Sequence, residues 1–327
     1  MKRDVLVVLY DGVQGVSFSG PMDAFSAGSA AAGDAPGPVY EIRTASSGGA
    51  PVRTSGGLTV LPDGSLEDAS PAHTLVIPGD GQFPDHGGQL ADVVGELAMA
   101  AGRVAAISTG VFLLAETGAL RGRRVTTHWK WCDLLSERYP DVQVDRAATV
   151  VRDGRVTTAG GGTSGIDLAM SLMAEDVDQE RAVRVSRELV SYPRRPGGQL
   201  QFIPWKPPTV EHAVLRGTLQ WISDNLRADL SGRSLAERAG VSPRHINRLF
   251  ASHTGMSPRR YVESARVGAA RRMMERPGRP GGLEEIAKEA GFSTLESMRV
   301  SFRRVLQVAP GEYQERFGVS PVTPPPG

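Results

Sequence analysis

Ser108 lies in Ala105-Ala106-Ile107-Ser108-Thr109-Gly110-Val111-Phe112-Leu113-Leu114-Ala115, where an apolar strand pattern turns directly into a helical one. A hydroxyl residue at such a corner is pushed outward by the sharp turn. The first amides of the following helix can then hold a negatively charged oxygen, which is the arrangement of a nucleophile elbow. A thiol, with a pKa of about 8.5, can be tuned to a reactive thiolate, whereas a serine hydroxyl needs a general base set against it. His128, in Thr126-Thr127-His128-Trp129, is the only obvious base. A lone histidine after a strand more often serves local structure, so a Ser-His hydrolase is disfavoured. The single cysteine, Cys132, has helical spacing within residues 129–135 and is far from the elbow in sequence. Core packing suits it better than chemistry, and one thiol can build neither an internal disulfide nor a multi-cysteine zinc site.

A second kind of chemistry is carried by arginines on a repeated pattern. Leu235-Ala236-Glu237-Arg238-Ala239-Gly240-Val241-Ser242 returns as Ile286-Ala287-Lys288-Glu289-Ala290-Gly291-Phe292-Ser293, 51 residues later. Small alanines let two helices approach, glycine makes the tight turn between them, and serine caps the second helix. That is helix-turn-helix chemistry. In the first copy Ile246, Leu249 and Phe250 form a buried stripe and leave Arg244, His245, Asn247 and Arg248 outward. Arginine pairs bidentately with guanine and asparagine with adenine, so Arg244, Asn247 and Arg248 are expected to read bases. In the second copy Phe292, Met298 and Phe302 are expected inside. Thr294, Leu295, Glu296, Ser297 and Arg299 are expected outside, with Arg303 and Arg304 further along. Leu295 could touch a thymine methyl and Arg299 a guanine, while Arg303 and Arg304 are expected to clamp phosphates. The repeat continues into Ser257-Pro258-Arg259-Arg260-Tyr261 and Ala309-Pro310-Gly311-Glu312-Tyr313, 52 residues apart.

These residues need elements to hold them. Residues 4–10, 40–44, 74–78 and 103–108 are short apolar runs ending in Gly, Pro or Ser, as buried parallel strands are. Residues 89–99 place Leu90, Val93, Val94 and Leu97 on one helix face, closed by Gly102. Strand, helix, strand implies a right-handed crossover and an α/β sandwich. With 327 residues, two domains are expected. Prolines in Tyr192-Pro193-Arg194-Arg195-Pro196 and Pro204-Trp205-Lys206-Pro207-Pro208 mark the join. The divisions read as a first domain over 1–192, a linker over 193–209, a DNA-binding domain over 210–317 and a disordered tail over 318–327. The overall charge of +1 conceals an asymmetry. Residues 1–209 hold 19 Lys+Arg against 24 Asp+Glu, whereas residues 210–327 hold 18 against 12. A basic second part suits a nucleic-acid surface. No run approaches the roughly 18 apolar residues of a membrane helix, and the opening residues do not continue as a signal sequence. A cytoplasmic protein without membrane contact is expected.

Several separated segments together resemble the class I glutamine amidotransferase-like superfamily in its PfpI/ThiJ branch. They are Gly20-Pro21-Met22-Asp23-Ala24-Phe25, Ile77-Pro78-Gly79-Asp80-Gly81, the elbow, Thr126-Thr127-His128-Trp129 and Gly160-Gly161-Gly162-Thr163-Ser164-Gly165-Ile166-Asp167-Leu168. The resemblance implies a flavodoxin-like, amidotransferase-like α/β sandwich with Asp23, Gly79, Asp80, Ser108, Thr109 and His128 around a ligand pocket. Enzymes of that superfamily carry Cys where this chain has Ser108, so no catalytic residue, metal or cofactor is expected; the alternative is a hydrolase or hydratase of the PfpI/isonitrile hydratase type. Residues 210–317 resemble the AraC/XylS DNA-binding domain, an all-α domain with two helix-turn-helix units. Residues 257–275 would be its connecting helix. Val300 departs from a position that is often polar or basic there, and Gln307 from one that is usually glycine. The combined resemblance implies a transcription regulator of double-stranded promoter DNA, controlled through the first domain by a small-molecule effector or by homodimer formation. RNA polymerase is expected as a partner if the protein activates.

Overall fold

The computed structural model describes residues 2–30, 40–81, 88–193, 195–276 and 282–318. The expected tail lies outside them from residue 319 onward. The chain divides into two compact units, 1–199 and 200–327.

The first unit opens with β1 (Arg3–Val8), α1 (Gly15–Ala30), β2 (Tyr40–Ser46), β3 (Val52–Arg53), β4 (Thr59–Val60), β5 (Gly64–Ser65) and β6 (Thr74–Ile77). It continues through α2 (Gln89–Ala100), β7 (Arg103–Ile107), α3 (Gly110–Glu116), β8 (Arg124–Val125), α4 (Cys132–Arg138) and β9 (Gln143–Val144). β10 (Val150–Asp153), β11 (Val156–Ala159), α5 (Ser164–Asp176) and α6 (Gln179–Glu188) complete it. Seven strands form one sheet in the order β10-β11-β7-β6-β1-β2-β5. Every pairing in it is parallel except that of β10 with β11. The four apolar runs thus become the sheet centre; β6 is buried throughout, and β1, β2 and β7 are buried toward their carboxyl ends. Helices α1, α5 and α6 pack on one another, and α2 packs on α3. This is a flavodoxin-like α/β fold, with β7 between β6 and β11, so the elbow falls at the carboxyl ends of the central strands, where such sheets place ligands.

The second unit runs α7 (Ala213–Asp224), α8 (Gly232–Arg238), α9 (Pro243–Thr254), α10 (Pro258–Met274), α11 (Leu283–Glu289), α12 (Leu295–Leu306) and α13 (Pro310–Phe317). Two helix-turn-helix pairs, α8–α9 and α11–α12, are joined by α10 as expected. Ser257 caps α10, its hydroxyl accepting from the Arg260 amide at 3.4 Å. Each pair has its own apolar core. Leu235, Ile246 and Phe250 meet Tyr261, Val262 and Ala265 in the first; Ile286, Met298 and Phe302 meet Val267, Ala270, Met274 and Tyr313 in the second. The repeated tyrosines, Tyr261 and Tyr313, are both 1% exposed, which explains why the repeat extends beyond the helix pairs.

The two copies differ at their turns. Ser242 caps α9, accepting from the His245 amide at 3.2 Å. The expected equivalent, Ser293, does not cap α12. Thr294 does, in a reciprocal capping box with Ser297 (3.0 and 3.2 Å), so the second turn is one residue longer. Gln307 closes α12 in the left-handed conformation at φ 61°, its amide reaching Arg303 O at 3.1 Å. Glutamine here takes the role Gly255 has after α9.

The stretch expected to be a linker is shared between the units. Arg195 Nε donates to Asp167 Oδ2 at 2.9 Å. The buried Gln199 amide donates to Thr126 Oγ1, Thr127 O and Ala148 O, each at 2.9 Å, and accepts from the Trp129 amide. From Leu200 onward the chain belongs to the second unit. There the buried Arg271 guanidinium holds Gln201 O and Ile203 O while donating through Nε to Tyr313 Oη.

Candidate functional site: a serine elbow and two arginine-bearing helices

Ser108 has φ 55°, a left-handed conformation that costs a side-chain-bearing residue roughly 1–2 kcal/mol. Hydrogen bonds from outside the turn hold it there. Its amide donates to Ala159 O at 2.8 Å, and its carbonyl accepts from Thr127 Oγ1 at 2.7 Å. The elbow predicted from the strand-to-helix pattern therefore forms, and it is fixed from the neighbouring strand and from the 126–128 segment.

Thr109 and Asp80 bind each other. Thr109 Oγ1 donates to Asp80 Oδ1 at 2.6 Å and accepts from the Asp80 amide at 2.9 Å. Gly79 is required by this close approach, because a Cβ on it would lie 2.7 Å from both the amide nitrogen and the hydroxyl of Thr109. Tyr10 Oη donates to Pro78 O at 2.7 Å. Burial raises the Tyr10 phenol well above its usual range, and the Asp80 charge adds to the effect. Gly79, Asp80 and Thr109 thus form one buried polar cluster; Ser108, next to Thr109 in the chain, is itself buried instead of turned outward as its corner position suggested.

Asp23 is not part of it. The Gly20-Pro21 pair makes no turn; it lies inside α1, and Asp23 faces solvent. The α1 side chain that reaches the cluster is Ser17, fully buried, whose hydroxyl accepts from the Gly79 amide at 2.9 Å. Sequence reading missed Ser17 because the acidic residue drew attention. The signal was available in the helical spacing, since Ser17, Pro21 and Ala24 share a buried face.

His128 is half-buried and caps a short turn, its Nδ1 accepting from the Lys130 amide at 3.2 Å. That bond assigns the ring proton to Nε2, leaving no free lone pair for a base. Burial, then the Lys130 charge, lowers its pKa and keeps the ring neutral. No hydrogen bond joins it to Ser108 among the described residues. Cys132 is 1% exposed, and burial pushes its thiol up to about 11; it is a core residue with an inert thiol. Among the described residues no group of three His, Cys, Asp or Glu side chains could hold a metal.

On α9 the stripe Ile246, Leu249 and Phe250 is buried and leaves Arg244, Asn247 and Arg248 exposed. Arg248 meets His245 Nδ1 at 3.1 Å, and Asn247 Nδ2 donates to Pro243 O at 2.7 Å. On α12 the outward side holds Glu296, Arg299, Arg303 and Arg304, with Glu296 bound to Arg299 at 3.2 Å. Two expectations change here. Leu295 packs against the second core instead of standing free, and Thr294 and Ser297 are spent on the cap. Val300, 45% exposed, occupies the outward face that sequence reading left to its neighbours.

A strained serine corner in a parallel sheet, followed by paired helix-turn-helix units, defines a flavodoxin-like α/β domain joined to a helix-turn-helix DNA-binding domain. The chain belongs to the DJ-1/PfpI family, whose model matches residues 3–175, and a helix-turn-helix domain model matches residues 235–316. It is 29% identical over 290 residues to the HTH-type transcriptional regulator GlxA of Rhizobium meliloti (strain 1021), covering 86% of this chain and 87% of that one. It is 30% identical to the isonitrile hydratase of Pseudomonas putida over 72% of this chain and 98% of that protein. A crystal structure of an AraC family transcriptional regulator from Pseudomonas putida superposes with a TM-score of 0.51 at 19% identity, over 57% of this chain and 99% of that one, and shows the same fold. No helix among the described residues is long and apolar enough to cross a membrane.

Proposed function

We infer that the protein is a sequence-specific DNA-binding transcription regulator whose DJ-1/PfpI-type unit acts without catalysis. The observation that carries this reading is the pair α9 and α12: two capped helices with buried stripes and arginine-bearing outer faces, held on one connector. The name of the GlxA relative, which spans both units, points the same way. The elbow cluster Gly79, Asp80, Ser108 and Thr109, with His128 beside it, is the pocket for a small-molecule effector, or its unit serves to join two copies of the chain. Duplex promoter DNA is the partner, together with RNA polymerase if the regulator activates, and the protein works in the cytoplasm.

The likeness to an isonitrile hydratase favours a second reading, an enzyme that also binds DNA. Ser108 and the engaged Nδ1 of His128 weigh against it.

Consecutive units on one connector enter major-groove segments about one turn, ~34 Å, apart. Selection of duplexes by the full chain from a random pool tests the reading. A shared motif should emerge, bound with an affinity that falls steeply with salt; failure to enrich any motif would overturn it. On the selected duplex Arg248→Ala should cost about 1–3 kcal/mol and much less on random DNA, whereas Arg303→Ala should weaken both alike. Equal losses on both duplexes for Arg248→Ala would make it a phosphate contact and remove the code from α9.

A further inference from the structure

Within the second unit an open groove of about 980 Å³ runs between the 227–232 segment, α10 and the near edge of α12. Its charges are unequally engaged. Asp229 accepts from the Ser231 amide at 2.9 Å and from its hydroxyl at 3.2 Å. Glu263, on α10, takes Arg304 at 3.1 Å, and Glu296 takes Arg299 at 3.2 Å. Every acid lining the groove is therefore occupied. Three exposed cations that line it, Arg227, Arg259 and Lys288, have no ion-pair partner among the described residues. Arg266 adds a fourth cation, anchored through Nε to Leu226 O at 3.1 Å.

An apolar peptide would find little here, since the exposed groove residues are mostly charged or hydroxylic. A flexible polyanion would find three free cations spread over three separate elements. The groove also shares Glu296, Val300 and Arg304 with the outward face of α12. A duplex read by that face must carry its backbone past the groove mouth. We propose that the groove seats the sugar-phosphate strand that crosses between the two major-groove segments, with Arg227, Arg259 and Lys288 as its phosphate contacts. This rests on the DNA-binding reading and extends it to residues outside both recognition helices.

These contacts carry no base information, so their removal must weaken binding to all sequences alike and reduce counterion release. The test uses the full chain with Arg227→Gln, Arg259→Gln and Lys288→Gln combined. Fluorescence anisotropy from about 50 to 200 mM salt compares a duplex selected by the wild type with a scrambled one. Each lost phosphate contact should flatten the plot of log affinity against log salt by about 0.9, so the triple variant should lose nearly three units of slope. Affinity should fall by the same factor on both duplexes. Arg216→Gln, an exposed arginine of α7 outside the groove, should leave the slope unchanged, and unchanged melting of the triple variant shows that its fold is intact. An unaltered slope in a folded triple variant overturns the proposal while leaving DNA binding in place, and assigns the groove to an acidic protein instead. Loss confined to the selected duplex also overturns it, because the cations would then be reading bases. A wild-type chain that binds no duplex overturns the DNA-binding reading and this proposal together.

Discussion

Ser108 keeps a left-handed backbone fixed by Ala159 and Thr127, whereas the His128 imidazole spends Nδ1 on a backbone amide. Among the described residues no hydrogen bond links that imidazole to the serine. Treatment with a fluorophosphonate at neutral pH should give no adduct at Ser108. A stoichiometric adduct that disappears in Ser108→Ala would revive the enzyme reading. At this scale the sequence was partly legible. The corner was readable because strand and helix patterns abut at one hydroxyl residue. Asp23 was placed at the pocket by the resemblance of residues 20–25, whereas in α1 Pro21 is buried and the acidic side chain turns outward. Gln199 was invisible in principle. Its four side-chain hydrogen bonds go to residues 51 to 73 positions away, and nothing local distinguishes it from a linker amide.

Among the elements, the repeat allowed both helix-turn-helix pairs and the connector to be drawn from sequence, since matched small, turn and capping residues recur at a fixed offset. What the repeat concealed was that its copies are not equivalent. Gly240 and Gly291 are both left-handed, at φ 65° and 86°. A Cβ on Gly240 would meet nothing within 4 Å, but one on Gly291 would lie 1.9 Å from Leu226 O. Gly240→Ala should therefore cost only the backbone term, about 1–2 kcal/mol. Gly291→Ala must also displace the 226 carbonyl that Arg266 holds, and should lose clearly more. Urea unfolding of the two variants decides this; equal losses would show that the 226 segment yields freely. The one-residue longer turn before α12 was unreadable for a related reason: Ser293 and Thr294 are both good caps, and only the tertiary position of α12 selects between them.

For the whole molecule, the strand and helix patterns and the repeat anticipated an α/β unit followed by a helical one, while charge asymmetry marked the second as basic and prolines marked the join. The point of division was harder, because proline content reports where regular structure stops and not where packing stops. The second unit carries a consequence of its own. Its two apolar cores share α10, the first drawing on Tyr261, Val262 and Ala265 and the second on Val267, Ala270 and Met274. Leu226 touches both cores from their margins. Such an arrangement behaves as two cooperative blocks on one strut, each able to open with its own free energy. Native-state hydrogen exchange on Phe302→Ala should show amides of α11 and α12 losing protection while those of α8 and α9 keep most of theirs. Uniform loss across all four helices would mean a single block. If the blocks are separate, the first pair can stay folded on DNA while the second lets go, and the residence of the regulator on its site becomes a sequence of partial releases rather than one departure.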